Sequence, residues 1–425
     1  MSAFRTPRGT QDLLPDARPG WDHVIEVFER QCRLFGFERI ETPTFENTAL
    51  FARAVGVDTD IVGKEMYTFD DRGGDSLTLR PEGTASVVRA YNQHGMKNWA
   101  QPVRLYYVTP IYRYDRPQAG RLRQHHQIGA EVLGEADGHV DAEVIALIWT
   151  VLGELGLSGL QLNVNSIGDR EDRERYREAL LAYYRPLADR LCRDCQARLE
   201  SNPLRLLDCK EGSCQPFKAD APRSVDFLGP EAQQHFEQVQ AALKALGIPF
   251  ELNFLLVRGL DYYTRTVFEI WPAEVGGQTT IAGGGRYDLL SEFVGGDPLA
   301  GVGFGCGIER VLLNLEKAGL MPPPVTGPTV YVAPLAEAAQ DAATALAGRL
   351  RGAGISVLAG YRQASPRSHL RRANAAGVRF AAILGERELE AGRVGLRDML
   401  SGLQDEVALE EVVKEIQKRS AAASE

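Results

Sequence analysis

The stretch LLVRGLDYYTRTVFE, residues 255–269, places charged and phenolic side chains inside one of the most hydrophobic parts of the chain. Arg258, Asp261, Tyr262 and Tyr263 interrupt what is otherwise the pattern of a buried strand. An unpaired buried charge costs several kcal/mol, so such groups are normally paired or in contact with a ligand. Two interpretations stay open from this stretch alone. Arg258 and Asp261 form an ion pair that closes a strand end, or the guanidinium and the phenols bind a polar substrate.

A second group of candidate residues is an arginine-rich hairpin over residues 104–123, in which Asp115 is the single acid. Its arginines are Arg104, Arg113, Arg116, Arg121 and Arg123. The planar guanidinium matches phosphate oxygens well, so the group favours phosphate binding over a solvent-exposed loop. No P-loop is present, because GVDTDIVGKE has the wrong glycine spacing. Arginines from separate strands, including Arg258 and Arg310, would therefore have to bind a polyphosphate.

Two carboxylates and a glycine run complete the candidate chemistry. Glu82 in RPEGT and Glu131 in IGAEVLG lie among small or apolar residues, where they can bind an ammonium group or a metal, do acid–base work, or act as structural acceptors. GGGRYD, residues 283–288, indicates either a close approach by a ligand or another backbone, or a plain β-bulge or turn. His125 and His126 lack a partner at metal-ligand spacing.

Four cysteines, in the pattern C-x2-C-x13-C-x4-C, suit a tetrahedral zinc site, although the second pair is more widely spaced than is usual. They are Cys192, Cys195, Cys209 and Cys214. Unrelated reduced thiols remain the alternative. A thioredoxin-like role is disfavoured because no βαβ pattern surrounds the first pair.

These residues must be positioned by a sheet with flanking helices. Apolar spacing predicts a helix over 19–35, and FERIETPTFE follows as a strand whose Pro43 belongs at an edge or an interface. Hairpin-like strand spacing favours an antiparallel sheet. Residues 168–245 are charged and helical and resemble an insertion. After the proline-rich boundary at 321–328, alternating strands and helices predict a small α/β domain with a mainly parallel sheet.

Composition and charge narrow the class of protein. The net charge of −9 over 425 residues argues against indiscriminate nucleic-acid or membrane binding. The stretch 362–379 is nonetheless one-sidedly basic and predicts a nucleic-acid contact. Its arginines are Arg362, Arg367, Arg371, Arg372 and Arg379. No apolar run approaches the ~18 residues of a membrane span. With no signal-peptide pattern and six cysteines, we expect a cytoplasmic protein.

Taken in order, the motifs resemble the class II aminoacyl-tRNA synthetases, and within them the histidyl-tRNA synthetase family, over nearly the whole chain. RGTQDLLP is similar to the family's N-terminal motif and FERIETPTFE to class II motif 1. YRYDRPQAGRLRQHHQIGAE resembles motif 2, and GVGFGCGIERVLL resembles motif 3. LVRGLDYYTRTVFE and GGGRYD resemble the two histidine-specific motifs, which carry the most specific part of the likeness.

The resemblance implies a fold, an organisation and a reaction. The fold is α+β, with a catalytic domain at 1–167 and 246–325, a helical insertion at 168–245 and a C-terminal α/β anticodon-binding domain at 326–425. The reaction joins L-histidine to ATP, used with Mg²⁺, to give histidyl-adenylate and pyrophosphate, and then transfers histidine to the 3′ end of tRNA-His. It also implies a homodimer with Pro43 at the interface.

The resemblance assigns roles to individual residues. Arg258 and Arg113 would be catalytic at the α-phosphate. The histidine site would be formed by these two arginines together with Glu82, Thr84, Gln127, Glu131, Tyr262, Tyr263 and Tyr287. ATP would be bound by Arg113, Arg121, His125 and Arg310. The tRNA contacts would be Arg116, Arg123, Arg367, Arg371 and Arg372.

Two positions depart from the family pattern. Asp115 stands where glutamate is usual, so its side chain is one methylene shorter. His125 stands where an aromatic ring, commonly phenylalanine, stacks on adenine. A charge on that imidazole near pH 6.5 would make ATP affinity depend on pH.

Two other functions compete with the ligase. One is a synthetase-like regulatory subunit of ATP phosphoribosyltransferase, which binds histidine without charging tRNA. The retained Arg113, Arg258 and Arg310 and the C-terminal domain favour the ligase over that regulator. The other is a zinc-dependent nucleic-acid-binding module, which rests only on the cysteines and arginines.

Overall fold

The computed structural model describes residues 4–56, 59, 61–115, 121–272, 280–323, 329–361 and 364–421. The chain divides into two compact units, Met1–Pro322 and Pro323–Glu425. Within the described ranges, no helix is both long and apolar enough to cross a membrane.

The described residues of the first unit form eleven strands and nine α-helices. The strands are β1 (Glu38–Arg39), β2 (Phe45–Asn47), β3 (Tyr67–Asp70), β4 (Ser76–Leu79), β5 (Val103–Tyr112), β6 (Gln124–Leu133), β7 (Gln161–Ser166), β8 (Glu251–Leu252), β9 (Thr264–Trp271), β10 (Ala282–Arg286) and β11 (Gly301–Gly307). The helices are α1 (Arg18–Leu34), α2 (Thr48–Val55), α3 (Thr84–Gln93), α4 (Gly138–Glu154), α5 (Arg170–Tyr184), α6 (Arg193–Arg198), α7 (Pro230–Ala245), α8 (Leu290–Phe293) and α9 (Ile308–Lys317).

An eight-stranded sheet in the order β1-β5-β6-β11-β10-β9-β7-β8 organises this unit. Its five central pairings, from β5·β6 to β9·β7, are antiparallel. The outer pairings β1·β5 and β7·β8 are parallel. The prediction of an antiparallel sheet is therefore confirmed. A second, three-stranded sheet has the order β2-β4-β3.

The expected strand FERIETPTFE is divided between the two sheets. Its residues Glu38–Arg39 join the large sheet, and Phe45–Asn47 pairs with β4 in the small one. Between them the carbonyl oxygens of Thr42 and Pro43 accept hydrogen bonds from the guanidinium of Arg80. Proline cannot donate to a ladder, so the chain changes sheets where Pro43 interrupts the pairing.

One face of the large sheet carries the main core. Alternate residues of β6, Ile128, Ala130 and Val132, pack there with α1, α4, α7 and α9. The predicted amphipathic helix corresponds to α1, whose Trp21, Val24, Phe28 and Cys32 are buried at helical spacing. The opposite face is left for the polar side chains of the site.

Residues 168–245 contain helices, short 3₁₀ turns and loops but no strand, as their composition indicates. Helices α5 and α6 and the short turns after them form a separate core around Tyr176, Leu180 and Tyr184, with three of the cysteines. Helix α7 differs, because Phe236, Val239 and Leu243 belong to the core of the large sheet.

The described part of the second unit is a five-stranded sheet in the order β13-β12-β14-β15-β16 with four α-helices. Its strands are β12 (Val330–Pro334), β13 (Val357–Ala359), β14 (Phe380–Leu384), β15 (Arg393–Asp398) and β16 (Gln404–Ala408), and its helices are α10 (Gln340–Gly352), α11 (Pro366–Ala375), α12 (Glu386–Glu390) and α13 (Val412–Ala421). Two pairings are parallel and two antiparallel, so the sheet is mixed rather than mainly parallel. The missed hairpin is β15–β16, whose strands are partly exposed and polar.

Candidate active site

Strand β6 supplies the central side chains of the site. Residues two apart on a strand share a face, so His125, Gln127, Gly129 and Glu131 line the face opposite the core. The register aligns Glu131 with Gly303 of β11 and with Leu105 of β5. This face of the sheet, the polar face, is where the predicted histidine-binding residues meet.

The Glu131 carboxylate is fully buried and accepts three hydroxyl hydrogen bonds. Thr84 Oγ1 donates to Oε1 at 2.7 Å, and Tyr107 donates to the same oxygen at 3.1 Å. Tyr287 donates to Oε2. Burial raises the pKa of Glu131 to about 8, although these hydrogen bonds act in the opposite direction. Ionisation of this buried acid is therefore unfavourable unless a cation lies beside it.

Glycines on β11 give the polar side chains of β6 the space they occupy. A Cβ on Gly303 would lie 1.6 Å from Glu131 Oε2, and one on Gly305 would lie 1.5 Å from Gln127 Nε2. A Cβ on Gly301 would meet the Tyr287 ring at 2.4 Å. Since alternate residues share a face, GVGFGCG clears one whole side of the strand. Any other side chain would displace the carboxylate or the amide.

Strand β10 continues this arrangement, but only in part as the glycine run predicts. Gly283 faces the polar side, where a Cβ would lie 2.6 Å from Arg258 Nη1. Gly284 faces the core, with Gly303 O at 2.1 Å from a built Cβ. The register also shifts between Gly285 and Arg286. The register shift confirms the β-bulge. The close approach at these glycines is by the protein's own Arg258 guanidinium and backbone, and approach by a ligand stays a prediction.

Glu82 lies at the start of helix α3 rather than in open space. Its two oxygens accept hydrogen bonds from Thr84 N at 2.7 Å and Ala85 N at 2.8 Å. Burial raises its pKa, and these two backbone donors lower it in part. Because Thr84 also donates to Glu131, one helix start connects both carboxylates. Glu82 therefore holds the end of the helix that carries Thr84.

Arg258 pairs with Glu269 of β9. Burial lowers the pKa of this guanidinium, but the neighbouring Tyr263 and Glu269 more than offset that effect and raise it above its ordinary value. The other oxygen of Glu269 accepts from Trp271 Nε1 at 2.8 Å and Thr280 Oγ1 at 2.7 Å. Arg258 is thus a permanent cation held by Glu269 of β9, whereas one of the two interpretations of the sequence paired it with Asp261.

The remaining arginines gather at the other end of the polar face. Arg113 Nε donates to Pro81 O at 2.7 Å, and Arg310 Nη1 donates to Thr280 O at 2.6 Å. Arg121 forms an ion pair with Asp115 at 3.1 Å. Burial, together with the charges of Arg121 and Arg113, lowers the pKa of Arg310. Mutual repulsion of this kind indicates a region prepared for an anion.

The charges of two of these arginines act on His125. Burial and the nearby charges of Arg113 and Arg310 lower its pKa to about 3. The imidazole is therefore neutral in the free protein at physiological pH, which argues against the predicted pH dependence of ATP affinity through His125. His126 has a structural role, because its backbone N–H donates to Glu309 of α9 at 2.9 Å.

Residues of the predicted insertion, 168–245, contact the stretch 258–265. Arg173 of α5 donates from Nη1 to the carbonyl oxygens of Asp261, at 3.2 Å, and Tyr263, at 3.0 Å. Arg265 forms a two-bond ion pair with Asp169, at 2.8 Å and 2.9 Å. Arg265 has φ of 45°, which is unusual for a residue other than glycine. The insertion therefore fixes the backbone that carries Tyr262 and Tyr263.

A cavity of about 660 Å³ lies beside Arg258 and Glu269. Trp271, Thr280, Arg121 and Arg310 contribute from the sheet side. The wall from the insertion carries Arg205, Asp208, Lys210, Gln215 and Lys218. Six of the lining side chains are cationic and two are acidic, namely Arg121, Arg205, Lys210, Lys218, Arg258 and Arg310 against Asp208 and Glu269.

Comparison with known proteins decides the family. The family model described as histidyl-tRNA synthetase matches residues 9–311, and the model described as anticodon binding domain matches residues 329–419.

The chain belongs to the histidyl-tRNA synthetase family.

Relatives of this synthetase cover it nearly end to end. A histidine–tRNA ligase from Dehalococcoides mccartyi is 51% identical over 416 residues, 98% of this chain and 100% of the relative. The crystal structure of apo S. aureus histidyl-tRNA synthetase superposes with a TM-score of 0.81 at 37% identity, covering 97% of this chain and 100% of that one. A Bacillus halodurans protein described as an ATP phosphoribosyltransferase regulatory subunit/histidyl-tRNA synthetase shares the fold, at 23% identity and a TM-score of 0.64, covering 91% of this chain and 99% of that one.

Several predicted residues of the synthetase lie elsewhere or serve other contacts. Arg116 and Arg362 lie outside the described residues. Arg123 stacks over the Tyr114 ring, 3.8 Å from its centroid. Arg379 forms an ion pair with Asp398 at 2.8 Å, so it is not a free part of the basic stretch. Arg367, Arg371 and Arg372 are exposed on α11.

Sequence reasoning missed two polar residues of the synthetase's site. Tyr107 reaches Glu131 across the β5–β6 ladder, and Glu269 holds Arg258. Tyr107 was hidden in an apolar run, and Glu269 stood at the end of the stretch 255–269 without an evident partner. The period-two glycines at 301, 303, 305 and 307 were the available signal, because glycine on every second strand position indicates close side-chain approach on one face.

Proposed function

We propose that the chain acts as a histidine–tRNA ligase, in which the polar face binds L-histidine and the arginine-rich cavity binds ATP. The observation that carries this proposal is the continuous row from the buried Glu131 carboxylate, through Tyr287, Tyr262 and Tyr263, to Arg258 at the cavity. Such a row offers an ammonium site and an aromatic pocket next to a cation for phosphate.

The amino acid would be selected by buried polar groups. Glu131 becomes favourable as a carboxylate when the α-ammonium of histidine lies beside it, which offsets the cost of burial. Tyr262 and Tyr263 are buried, with ring centroids 4.8 Å apart. These two rings would line the space for the imidazole. An apolar isostere would leave these groups unpaired, which can discriminate by about 10⁴-fold or more.

Activation would proceed by attack of a histidine carboxylate oxygen on the α-phosphorus of ATP. The new P–O bond forms as the bond to the bridging oxygen breaks, and pyrophosphate leaves with that electron pair. Arg258 and Arg113 would stabilise charge at the α-phosphate, and Arg310 and Arg121 would bind the leaving pyrophosphate. Fixed cations are effective here because Glu269 and the carbonyls of Pro81 and Thr280 already orient them.

In the second step the terminal ribose hydroxyl of tRNA would attack the carbonyl carbon of histidyl-adenylate, and AMP would leave. Arg367, Arg371 and Arg372 of α11 are the proposed contacts to the tRNA backbone in the anticodon-binding unit. Arg116 and Arg123, in the sequence that resembles motif 2, are the other proposed contacts. The exposure of the α11 arginines leaves them accessible to phosphate.

Mg²⁺ is implied by the family's use of ATP. Of the two acids that line the cavity, Glu269 is already engaged by Arg258, Trp271 and Thr280. The donor set therefore fits a metal that is coordinated mainly by phosphate oxygens. When bound, Mg²⁺ would neutralise the phosphates that the arginines do not reach.

A homodimer built on the motif 1 region is part of this proposal. Phe45 and Phe69 of the small sheet are 51% and 43% exposed and contact each other with ring centroids 6.3 Å apart. Exposed aromatic pairs of this kind favour burial against a partner.

The test is amino-acid-dependent pyrophosphate exchange with the full chain. We expect exchange with histidine alone among the standard amino acids, and charging of tRNA-His by the same preparation. The regulatory-subunit alternative predicts histidine binding without exchange, so exchange without histidine dependence, or none at all, would refute the ligase.

Arg258→Ala is the decisive variant for the site. Removing the fixed cation at the α-phosphate should lower exchange by about 10³-fold while the protein stays folded. Arg258→Lys should recover only part of it, since lysine lacks the planar fork. Arg170→Ala removes an arginine whose side chain is 80% exposed and should exchange normally.

A further inference from the structure

The four cysteines of the insertion lie together as a group of metal-ligand geometry. Their sulfur atoms all lie within 4.8 Å of one another, and Cys192 Sγ lies 3.8 Å from Cys209 Sγ. In a tetrahedral site with Zn–S bonds of about 2.3 Å, neighbouring sulfurs are about 3.8 Å apart. None of the four cysteines is in a disulfide. The widely spaced second pair, Cys209 and Cys214, is thus brought to the first pair by the fold.

The surroundings of the sulfurs suit thiolates. Cys192 N donates to Cys214 Sγ at 3.2 Å, and Cys195 N donates to Cys192 Sγ at 3.4 Å. Backbone N–H groups directed at sulfur offset part of the negative charge that four thiolates bring to one ion. Three of the cysteines are buried and Cys192 is half-buried, which limits exchange of a bound ion with solvent.

The segment around the cysteines has few other means of holding its shape. Between Leu191 and Phe227 the chain forms one six-residue helix and short 3₁₀ turns, with no strand in this fully described range. Its core is the small cluster around Leu199, Leu206 and Phe217, into which the cysteines themselves pack. Small loop-rich modules commonly need a metal or disulfides for stability.

We propose that Cys192, Cys195, Cys209 and Cys214 bind one Zn²⁺ as a structural ion, and that this ion holds a cationic wall of the nucleotide cavity in place. The wall consists of Arg205, Lys210 and Lys218. Lys218 Nζ donates to the carbonyl oxygen of Cys209, and Gln215 Nε2 donates to the same oxygen at 2.7 Å. Two cavity-lining residues are therefore fixed directly to a ligand's backbone, and Lys210 follows Cys209 in the chain.

The first test is metal content of the full chain, purified under reducing conditions without added metal. We expect about one zinc per chain. Cys209→Ser and Cys192→Ser should lose the bound zinc, and Cys32→Ala, which removes a buried thiol of α1, should keep it. Wild-type protein with less than about a tenth of a zinc per chain, or equal loss in the Cys32 variant, would overturn the site.

Cobalt substitution keeps the test valid if the serine variants do not fold. Wild-type protein stripped with a chelator and loaded with Co²⁺ should show thiolate-to-cobalt charge-transfer absorption and tetrahedral ligand-field bands. Absence of these bands would contradict a metal site and favour plain thiols. An intact mass of freshly purified protein that is lower by the two hydrogens lost when a disulfide forms would also contradict it and favour a redox pair.

The second half of the proposal rests on the nucleotide position in the proposed function and has its own readout. Chelation should raise the KM for ATP by about tenfold. The KM for histidine should change less, because Arg173 of α5, which holds the backbone of Tyr263, lies outside the cysteine segment 191–221. It should also expose the segment 191–221 to limited proteolysis. Zinc loss with an unchanged KM for ATP would refute the claim that the ion holds the cationic wall in place. A protein that binds zinc but exchanges no pyrophosphate would count against the ligase function alone.

Discussion

The pocket around Glu131 and the helix α11 use charge in opposite ways. In the pocket one carboxylate is fully buried, and three hydroxyls donate to it across strands and a helix start. On α11, Arg367, Arg371 and Arg372 are exposed to solvent on a single helix. A buried group that lacks its partner is costly, whereas an exposed charge is screened by salt and tolerates many partners.

This difference separates specificity for one amino acid from general affinity for a polyanion. A ligand that brings no cation leaves the buried charge of Glu131 without compensation, so the pocket should discriminate strongly. The α11 arginines can contribute affinity for any polyanion, and each contributes little alone. Substitutions in the pocket should therefore have a large effect on the kinetic constants for histidine and none on those for tRNA. Substitutions on α11 should have a small effect, limited to the KM for tRNA.

Gly303→Ala should produce the largest effect in this comparison. Its Cβ would lie 1.6 Å from Glu131 Oε2 and 2.6 Å from Ala130 O, so the carboxylate must move. A displacement of this order should lower kcat/KM for histidine by about 10²-fold or more. Gly153→Ala on α4, where no atom lies within 4 Å of a built Cβ, is the matched control. Pyrophosphate exchange measures both, and normal exchange by Gly303→Ala would show that the glycine spacing has no functional role.

Glu131→Gln should have the next largest effect. The amide keeps the shape but removes the charge that pairs with the ammonium of histidine, so the KM for histidine should rise by about 10- to 10²-fold. Tyr287→Phe, which removes one of three donors, should cost less. The KM for ATP should stay unchanged in both variants. A rise in that KM equal to the rise for histidine would contradict a separate amino-acid pocket.

The pH dependence of stability offers a milder test. The pKa of Glu131 is about 8 in the folded protein against an ordinary value of 4.5. The folded state holds this proton more tightly than the unfolded state, so protonation of Glu131 raises the free energy of unfolding. This contribution is fully present below pH 4.5 and is lost as the pH rises through about 8. The Tm of the unliganded wild type minus that of Glu131→Gln should therefore fall by a few degrees from pH 5 to pH 8. A difference that is flat or rises with pH would show that Glu131 is ionised in the free protein.

Replacing the α11 arginines should have the smallest effect. The triple variant Arg367→Ala, Arg371→Ala, Arg372→Ala should raise the KM for tRNA several-fold and reduce the salt dependence of binding by about one unit of slope for each phosphate that is no longer neutralised. Pyrophosphate exchange should not change. Arg387→Ala is the control, because it removes one positive charge at an exposed position of another helix, α12. Unaltered charging at every salt concentration would remove α11 from the tRNA interface.

The sequence anticipated the parts of this molecule that depend on local pattern. The helix α1, the antiparallel sheet and the helical character of 168–245 follow from periodicity and spacing. The grouping of Arg258 with Tyr262 and Tyr263 was evident because charges in an apolar stretch need a reason.

What the sequence could not provide is the identity of cross-strand neighbours. Tyr107, Glu131 and Gly303 meet only because the register of three strands aligns them, and a shift of one residue would send each to the other face. Glu269 pairs with Arg258 for the same kind of reason, since its distance in space does not follow from its distance in sequence. The low pKa of His125 could not be read from the sequence either, because it depends on burial and on arginines from separate elements.

Arg173 gives the insertion a dynamic consequence. One guanidinium on α5 binds two carbonyl groups of the stretch just before β9 that carries Tyr263, so this stretch can move away from the helix only if both hydrogen bonds break. Amide hydrogens of α5 and of residues 261–264 should then exchange with solvent as one cooperative opening unit, with matched protection, although they lie about 90 positions apart along the chain.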